Sequence, residues 1–338
     1  MLFIIHIISN TTSIMSKTLD LHTSNLASLA FTVSKVLHDD NSNAHCIIMP
    51  DIRHARAISE HLVCFQPELQ QRVICLPDWE TLAYDALATD NAITAERLQA
   101  LYQLSMHKTP ILVTTTQVLM AKIIPASFVQ KNSFILKVGD TLSPIAFREM
   151  MLKKGYTETR EVQQVGDFAI RGAILDAYLY RANRAIRAEL FDDEIDSIRK
   201  LDIESQLSSD LMREVQLLPN QEYTFQDNAT LIKERVDTFF EPDVVEHPLI
   251  KNLLQARSFA GIEYYLPILH EKLNTIWDYL PTTTHFYVFD NWQHDINKKH
   301  AEIFKRYQTQ LQKQLPTLTP NALFLELDFL TNKIAKYP

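Results

Sequence analysis

The sequence predicts an α/β protein: a largely parallel sheet covered by helices, with a small α+β unit inserted in it. Three observations carry this. Apolar strands alternate with amphipathic helices from about 45 to 130, strand patterns crowd residues 161–218 behind a single helix, and mixed α/β patterning then returns. The expected divisions are 1–132, 133–218 and 219–338.

Taken in order, the opening LFIIHII is too short to span a bilayer and lacks the basic flank and cleavage site of a signal peptide. It reads as a strand or an irregular leader, and Met15 offers a second start. CIIM (46–49) is a buried strand, followed by Asp51 as cap of the helix IRHARAISEHL, which places Ile52, Ala55, Ile58 and Leu62 on one face. A strand RVICL (72–76), a helix over 93–107, a strand ILVTT (111–115) and a short helix QVLMAKI complete this βαβ pattern. FILKVG then leads to Ser143 and Pro144, a cap and first-turn proline for PIAFREMMLKK, with Gly155 placed to end it. Short alternating segments fill 161–218. Beyond them the patterns give a helix near 229–240, the segment SFAGIEYYLPIL, a strand at 285–290 and a long polar helix over 292–314.

Composition narrows the function. With 338 residues, 46% hydrophobic and 22% charged, the chain supports two or three globular cores. A net charge of -8 supplies no global field for a nucleic-acid backbone, although a local basic patch stays open. Cys46, Cys64 and Cys75 form no CxxC pair and read as reduced, buried thiols, and His61 with Cys64 is an incomplete metal spacing on a helix. No metal or cofactor is expected, no segment has transmembrane length, and the cytoplasm is the expected compartment. The five glycines all lie at or after residue 139, so no G-x-x-x-x-G-K-[ST] loop can be written, and Ser16-Lys17-Thr18 is its nearest remnant. Trp79 and Tyr84 are expected to lock their loop to the core, and Gly261 to mark a tight turn.

The stretch AIRAELFDDEIDSIRKLD (185–202) is the most informative. Strand alternation sends Ile186, Ala188 and Leu190 one way and Arg187, Glu189 and Phe191 the other. Two readings of the second row stand: Phe191 tucks under an edge among solvated charges, or it is an exposed interface anchor. The acids of FDDE read as a hairpin turn rather than a Mg²⁺ site, because the phosphate loop that would accompany the metal is missing.

LPDWETLAYD (76–85), AERLQALYQL (95–104), VGDFAIRGAILD (165–176), LFDDEIDSIRKLD (190–202), VQLLP (215–219) and AGIEYYLP (260–267) occur in this order across the chain. In these motifs it resembles the N-terminal, UvrB-like region of the bacterial transcription-repair coupling factors, the Mfd family. The resemblance implies a degenerate P-loop, RecA-like parallel-sheet body, with 1–132 as domain 1a and 219–338 as domain 1b, and an inserted α+β domain 2 at 133–218. In UvrB that body is an ATPase with an aromatic hairpin that grips DNA. Here the loop glycines are missing, and only ten residues separate Asp85 from Glu96, too few for the hairpin.

The family uses domain 2 to recruit UvrA to RNA polymerase stalled at a lesion. The resemblance carries this role onto Arg171, Arg187 and Phe191, with Glu189 between the last two on the same face. It further implies that the whole family protein binds RNA polymerase and duplex DNA through domains absent from these residues, and that its C-terminal domain masks domain 2. No membrane partner is implied. A structural role for Arg171, tying its strand to a carboxylate of the FDDE turn, stays open. The alternatives are a UvrB-like ATPase that grips DNA and a direct DNA-binding module. The sequence departs from the family in two places: Ala83 stands where the family usually has proline, and AYLYRANRAI replaces the common Phe-Pro turn after the RGAILD strand, in the hairpin that positions the site.

Overall fold

The computed structural model describes residues 5–8, 25–179, 184–226 and 228–335. Met15, Ser16-Lys17-Thr18 and residues 180–183 of the AYLYRANRAI segment lie outside the described residues. The strands are β1 (Ile5–Ile8), β2 (His45–Met49), β3 (Val73–Leu76), β4 (Ile111–Thr115), β5 (Phe134–Lys137), β6 (Thr157–Glu158), β7 (Asp167–Arg171), β8 (Ile174–Leu179), β9 (Arg184–Phe191), β10 (Glu194–Leu201), β11 (Ser208–Met212), β12 (Glu214–Leu217) and β13 (His285–Phe289).

The body is a five-stranded sheet in the order β1-β13-β2-β4-β3, parallel except for β1, which runs antiparallel on the edge against β13. β2 and β4 are buried at every position, which is why they read as predominantly apolar, with His45, Thr114 and Thr115 as buried polar residues. Alternate residues serve opposite layers. Ile47, Met49, Ile111, Val113 and Tyr287 pack under the helices Leu26–Asp39 and Ile52–Phe65, whereas Cys46, Ile48, Leu112, Phe286 and Val288 join the larger core. That larger core holds Leu98, Leu101 and Leu104 of the helix Asn91–Met106 and reaches Ile296 and Ile303 of the long helix Trp292–Gln312. Asp51 caps its helix by accepting from the His54 amide, and Asp90 caps the next from Ala92. Cys46 is buried and Cys75 half-buried, but Cys64 is exposed, a correction to the expectation of three buried thiols; it lies in the last turn of its helix, away from the buried Ala55, Ile58 and Leu62.

β5 and β12 pair antiparallel, so the chain leaves the body and returns to it side by side. Between them lies a six-stranded sheet in the order β11-β10-β9-β8-β7-β6. Helix Pro144–Lys153, capped by Ser143 on the Ala146 amide, buries Phe147 and Met151 against Phe168, Leu175, Ile186, Ala188, Leu190, Ile195 and Ile198. Burying two such side chains contributes about 1.5–3 kcal/mol each. None of the apolar residues of this cluster belongs to the cores of the body.

At the point of return, Glu222 and Arg97, each 2% exposed, form an ion pair; Trp79 donates to the same carboxylate and Arg97 also donates to the Pro77 carbonyl. Trp79 and Tyr84 are buried, and the Tyr84 hydroxyl donates to the Leu318 carbonyl, so both fasten their loop to the core. Gly261 adopts φ +84°, and a Cβ there would stand 2.7 Å from the Asp85 carbonyl oxygen.

Candidate functional site

The arginine-bearing strands are neighbours. β7 and β8 form a hairpin closed by Gly172 and Ala173, with Gly172 at φ +62°, and β8 pairs antiparallel with β9. That register sets Asp176 directly opposite Arg187, with Arg171 at the end of the next strand.

Asp176 is wholly buried and holds both arginines. Arg187 donates Nε to Oδ1 at 2.8 Å and Nη2 to Oδ2 at 3.0 Å, and Arg171 donates Nη2 to Oδ2 at 2.5 Å. The planar guanidinium of Arg187 thus grips the carboxylate with two parallel bonds, the geometry that a lysine cannot reproduce. Its third donor, Nη1, reaches the Gln206 carbonyl at 3.2 Å. Hydrogen bonding to Asp176 raises the Arg187 pKa against the opposing effect of burial, and the charges of Asp176 and Glu189 add to it. The open question about Arg171 resolves accordingly: it is tied to a carboxylate, but to Asp176 and not to the FDDE turn.

The two arginines differ in what they leave accessible. Arg187 is 12% exposed and Arg171 is 37% exposed with Glu161 at 3.8 Å. Glu189 is half-buried, and its carboxylate stands 3.5 Å from the Ser197 hydroxyl of β10. Phe191, at the end of β9, is 74% exposed, so the tucked-edge reading is wrong. The next two residues explain why: Asp192 and Asp193 make a two-residue connection between paired Phe191 and Glu194, with Asp192 at φ +54°, and the ring projects from the last pair of the ladder.

Sequence reasoning missed three neighbours. Asp176 sits inside the RGAILD motif as a lone acid among strand residues, a signal that a buried partner is required. Arg199 pairs with Arg187, and Leu211 pairs with Arg199, so one row runs Asp176, Arg187, Arg199, Leu211 across β8 to β11. Leu211 is exposed like Phe191, and the charged row is thus bordered by apolar side chains. The signal for these two was weak, because it depends on a register shift in β10 between Ile195 and Ser197.

The carboxyl edge of the body sheet, where open α/β sheets take their ligands, is closed by the chain itself. Lys299 of the long helix donates to the Pro50 carbonyl at 2.8 Å and to Thr116 Oγ1 at 2.5 Å and pairs with Asp295 at 2.8 Å. Thr115 Oγ1 donates to Asp78 at 2.9 Å. The cavity bordered by Lys299, Gln117 and Arg306 measures about 40 Å³, against the roughly 300 Å³ or more of a typical small-molecule pocket. Among the described residues no helix is long and apolar enough to cross a membrane.

Comparison with known proteins matches residues 134–223 to the UvrB interaction domain. The chain is 31% identical over 313 residues, 91% of its length, to the transcription-repair-coupling factor of Haemophilus influenzae, and 30% identical over 86% of its length to that of Escherichia coli. A third, from Bacillus subtilis, is 22% identical over 88% of the chain. The chain spans about a quarter of the length of these relatives, 27%, 25% and 25% in turn.

Proposed function

The chain belongs to the transcription-repair-coupling factor family as its UvrB-like module, and from this we propose that it is a non-catalytic docking module that recruits the excision-repair protein UvrA through its inserted domain. The module divides into a body of 1–132 and 219–338 and the docking domain 133–218. One observation carries the reading: Phe191 stands 74% exposed on the strand whose Arg187 is fixed, together with Arg171, by a buried carboxylate. Exposed aromatics beside arginines held in one geometry are the usual anchors of protein interfaces. Glu189, on the same side of β9, completes the face.

The body works in this reading as a scaffold in the cytoplasm. Lys299 and Asp295 occupy the edge where a nucleotide would sit, and no glycine loop is available to receive phosphates. In the longer family protein, RNA polymerase and duplex DNA are engaged by other domains, and an intramolecular C-terminal domain covers the docking face.

Capture of UvrA by wild type, Phe191→Ala, Arg171→Ala and Glu189→Gln tests the face. Phe191→Ala should lower affinity at least about tenfold with the fold intact, and wild-type capture by that variant sinks the assignment. Saturable binding of a fluorescent ATP analogue would instead revive a UvrB-like ATPase.

A further inference from the structure

At the edge of the body sheet opposite Lys299, three side chains converge. Asp40 is the C-cap of helix Leu26–Asp39, His45 opens β2 and His285 opens β13; the parallel register pairs His285 with His45 and so sets the imidazoles side by side. Asp40 Oδ2 lies 3.8 Å from His45 Nε2 and 3.8 Å from His285 Nδ1, and one ligand atom from each residue falls within 4.8 Å of the other two.

The groups behind these atoms fix their aim. Asp40 Oδ1 accepts from Asn43 Nδ2 at 2.8 Å and from Ser42 Oγ at 3.4 Å, so Oδ2 is the oxygen turned toward the rings. His45 Nδ1 lies 3.1 Å from the Tyr287 hydroxyl, itself buried in the core. A histidine whose far nitrogen is held by an outer partner, and a carboxylate held through its second oxygen, are the supports that metal ligands ordinarily have.

We infer that Asp40, His45 and His285 form a binding site for a zinc-like divalent cation. Two imidazoles and one carboxylate are a donor set that zinc accepts, and the partial exposure of Asp40 and His285 leaves a fourth position to water. With metal–ligand bonds of about 2.0–2.1 Å the ligand atoms must approach to about 3.3 Å, about 0.5 Å less than the two carboxylate–imidazole distances and up to about 1.5 Å less for the imidazole pair, a movement that falls to the partly exposed Asp40 and His285. His45 Nε2 lies 2.9 Å from the Asp40 carbonyl oxygen. On binding, that nitrogen gives its lone pair to the cation and Nδ1 carries the ring proton to the Tyr287 oxygen.

The nearby Arg72 guanidinium opposes a cation, and the Asp40 carboxylate offsets it. A bound ion would clip the end of the first helix to strands from opposite ends of the chain.

The test uses the full chain freed of metal by a chelator, titrated with Zn²⁺ by calorimetry and with Co²⁺ by visible absorption at neutral pH. One equivalent of Zn²⁺ should bind and raise the thermal midpoint, and Co²⁺ should develop the intense d–d absorption of low coordination. His285→Gln should abolish both, Tyr287→Phe should weaken binding by roughly 10–100-fold, and His294→Gln, on an exposed position of the long helix, should change neither. No uptake at millimolar metal, or equal uptake by His285→Gln, overturns the site and leaves the triad as a hydrogen-bonded tie.

Discussion

Arg187→Ala removes a side chain that is 12% exposed and donates three hydrogen bonds, two to Asp176 and one to the Gln206 carbonyl. It leaves a carboxylate of 0% exposure with Arg171 as its remaining ion-pair partner. Removing one member of a buried pair costs about 3–5 kcal/mol, and the surviving Arg171 bond puts this case at the low end, about 3 kcal/mol. With an m value of about 1.5 kcal/mol/M, the urea midpoint of the inserted unit falls by about 2 M. Because this unit has a core of its own, the readout is amide hydrogen exchange of β8 and β9 across a urea series rather than one global signal. Arg187→Met with Asp176→Asn removes both charges and should recover most of the loss, since the penalty lies in the orphaned charge and not in the missing attraction. A single-variant loss below about 0.5 kcal/mol, or a double variant as unstable as the sum of the two singles, refutes the shared-carboxylate argument. The result also governs how UvrA capture is read: weak capture by Arg187→Ala mixes lost contact with lost fold, whereas Phe191→Ala does not.

Phe191→Ala should change stability by no more than about 0.5 kcal/mol, measured by the same exchange series, because the ring is mostly in water already. Glu222→Ala strands Arg97 at 2% exposure and should destabilise the body by about 3–5 kcal/mol, with tryptophan fluorescence of the Trp79 loop reporting it. Gly261→Ala places a Cβ 2.7 Å from the Asp85 carbonyl at a left-handed φ, and a loss of about 2 kcal/mol or more in thermal unfolding is expected. His45, with its folded pKa at about 4 against 6.5 unfolded, binds fewer protons when folded. Stability should therefore fall as pH drops from 6.5 toward 4, by up to about 1.4 kcal/mol per unit, and His45→Gln should flatten that part of the curve.

The sequence by itself determined what local chemistry dictates. The apolar runs at 46–49 and 111–113 announced a parallel sheet buried on both faces, and Asp51 and Ser143 announced helix starts that their side chains cap. The side-chain period of a strand separated Ile186, Ala188 and Leu190 from Arg187, Glu189 and Phe191 before any neighbour was known, and the missing glycines removed the phosphate loop. Tertiary structure decided what depends on partners distant in the chain. The antiparallel β1 edge against β13 and the closing of the sheet edge by Lys299 carry no local signature, whereas the helix Leu26–Asp39 has one that sequence reasoning passed over, a capping Asn25 and a face of Leu29, Ala30, Val33 and Leu37. Above all, only the register of β8 against β9 could set Asp176 between two arginines, and only the two-residue turn that ends β9 could leave Phe191 in solvent, because pairing across strands is fixed by the summed burial of whole faces and not by any one segment.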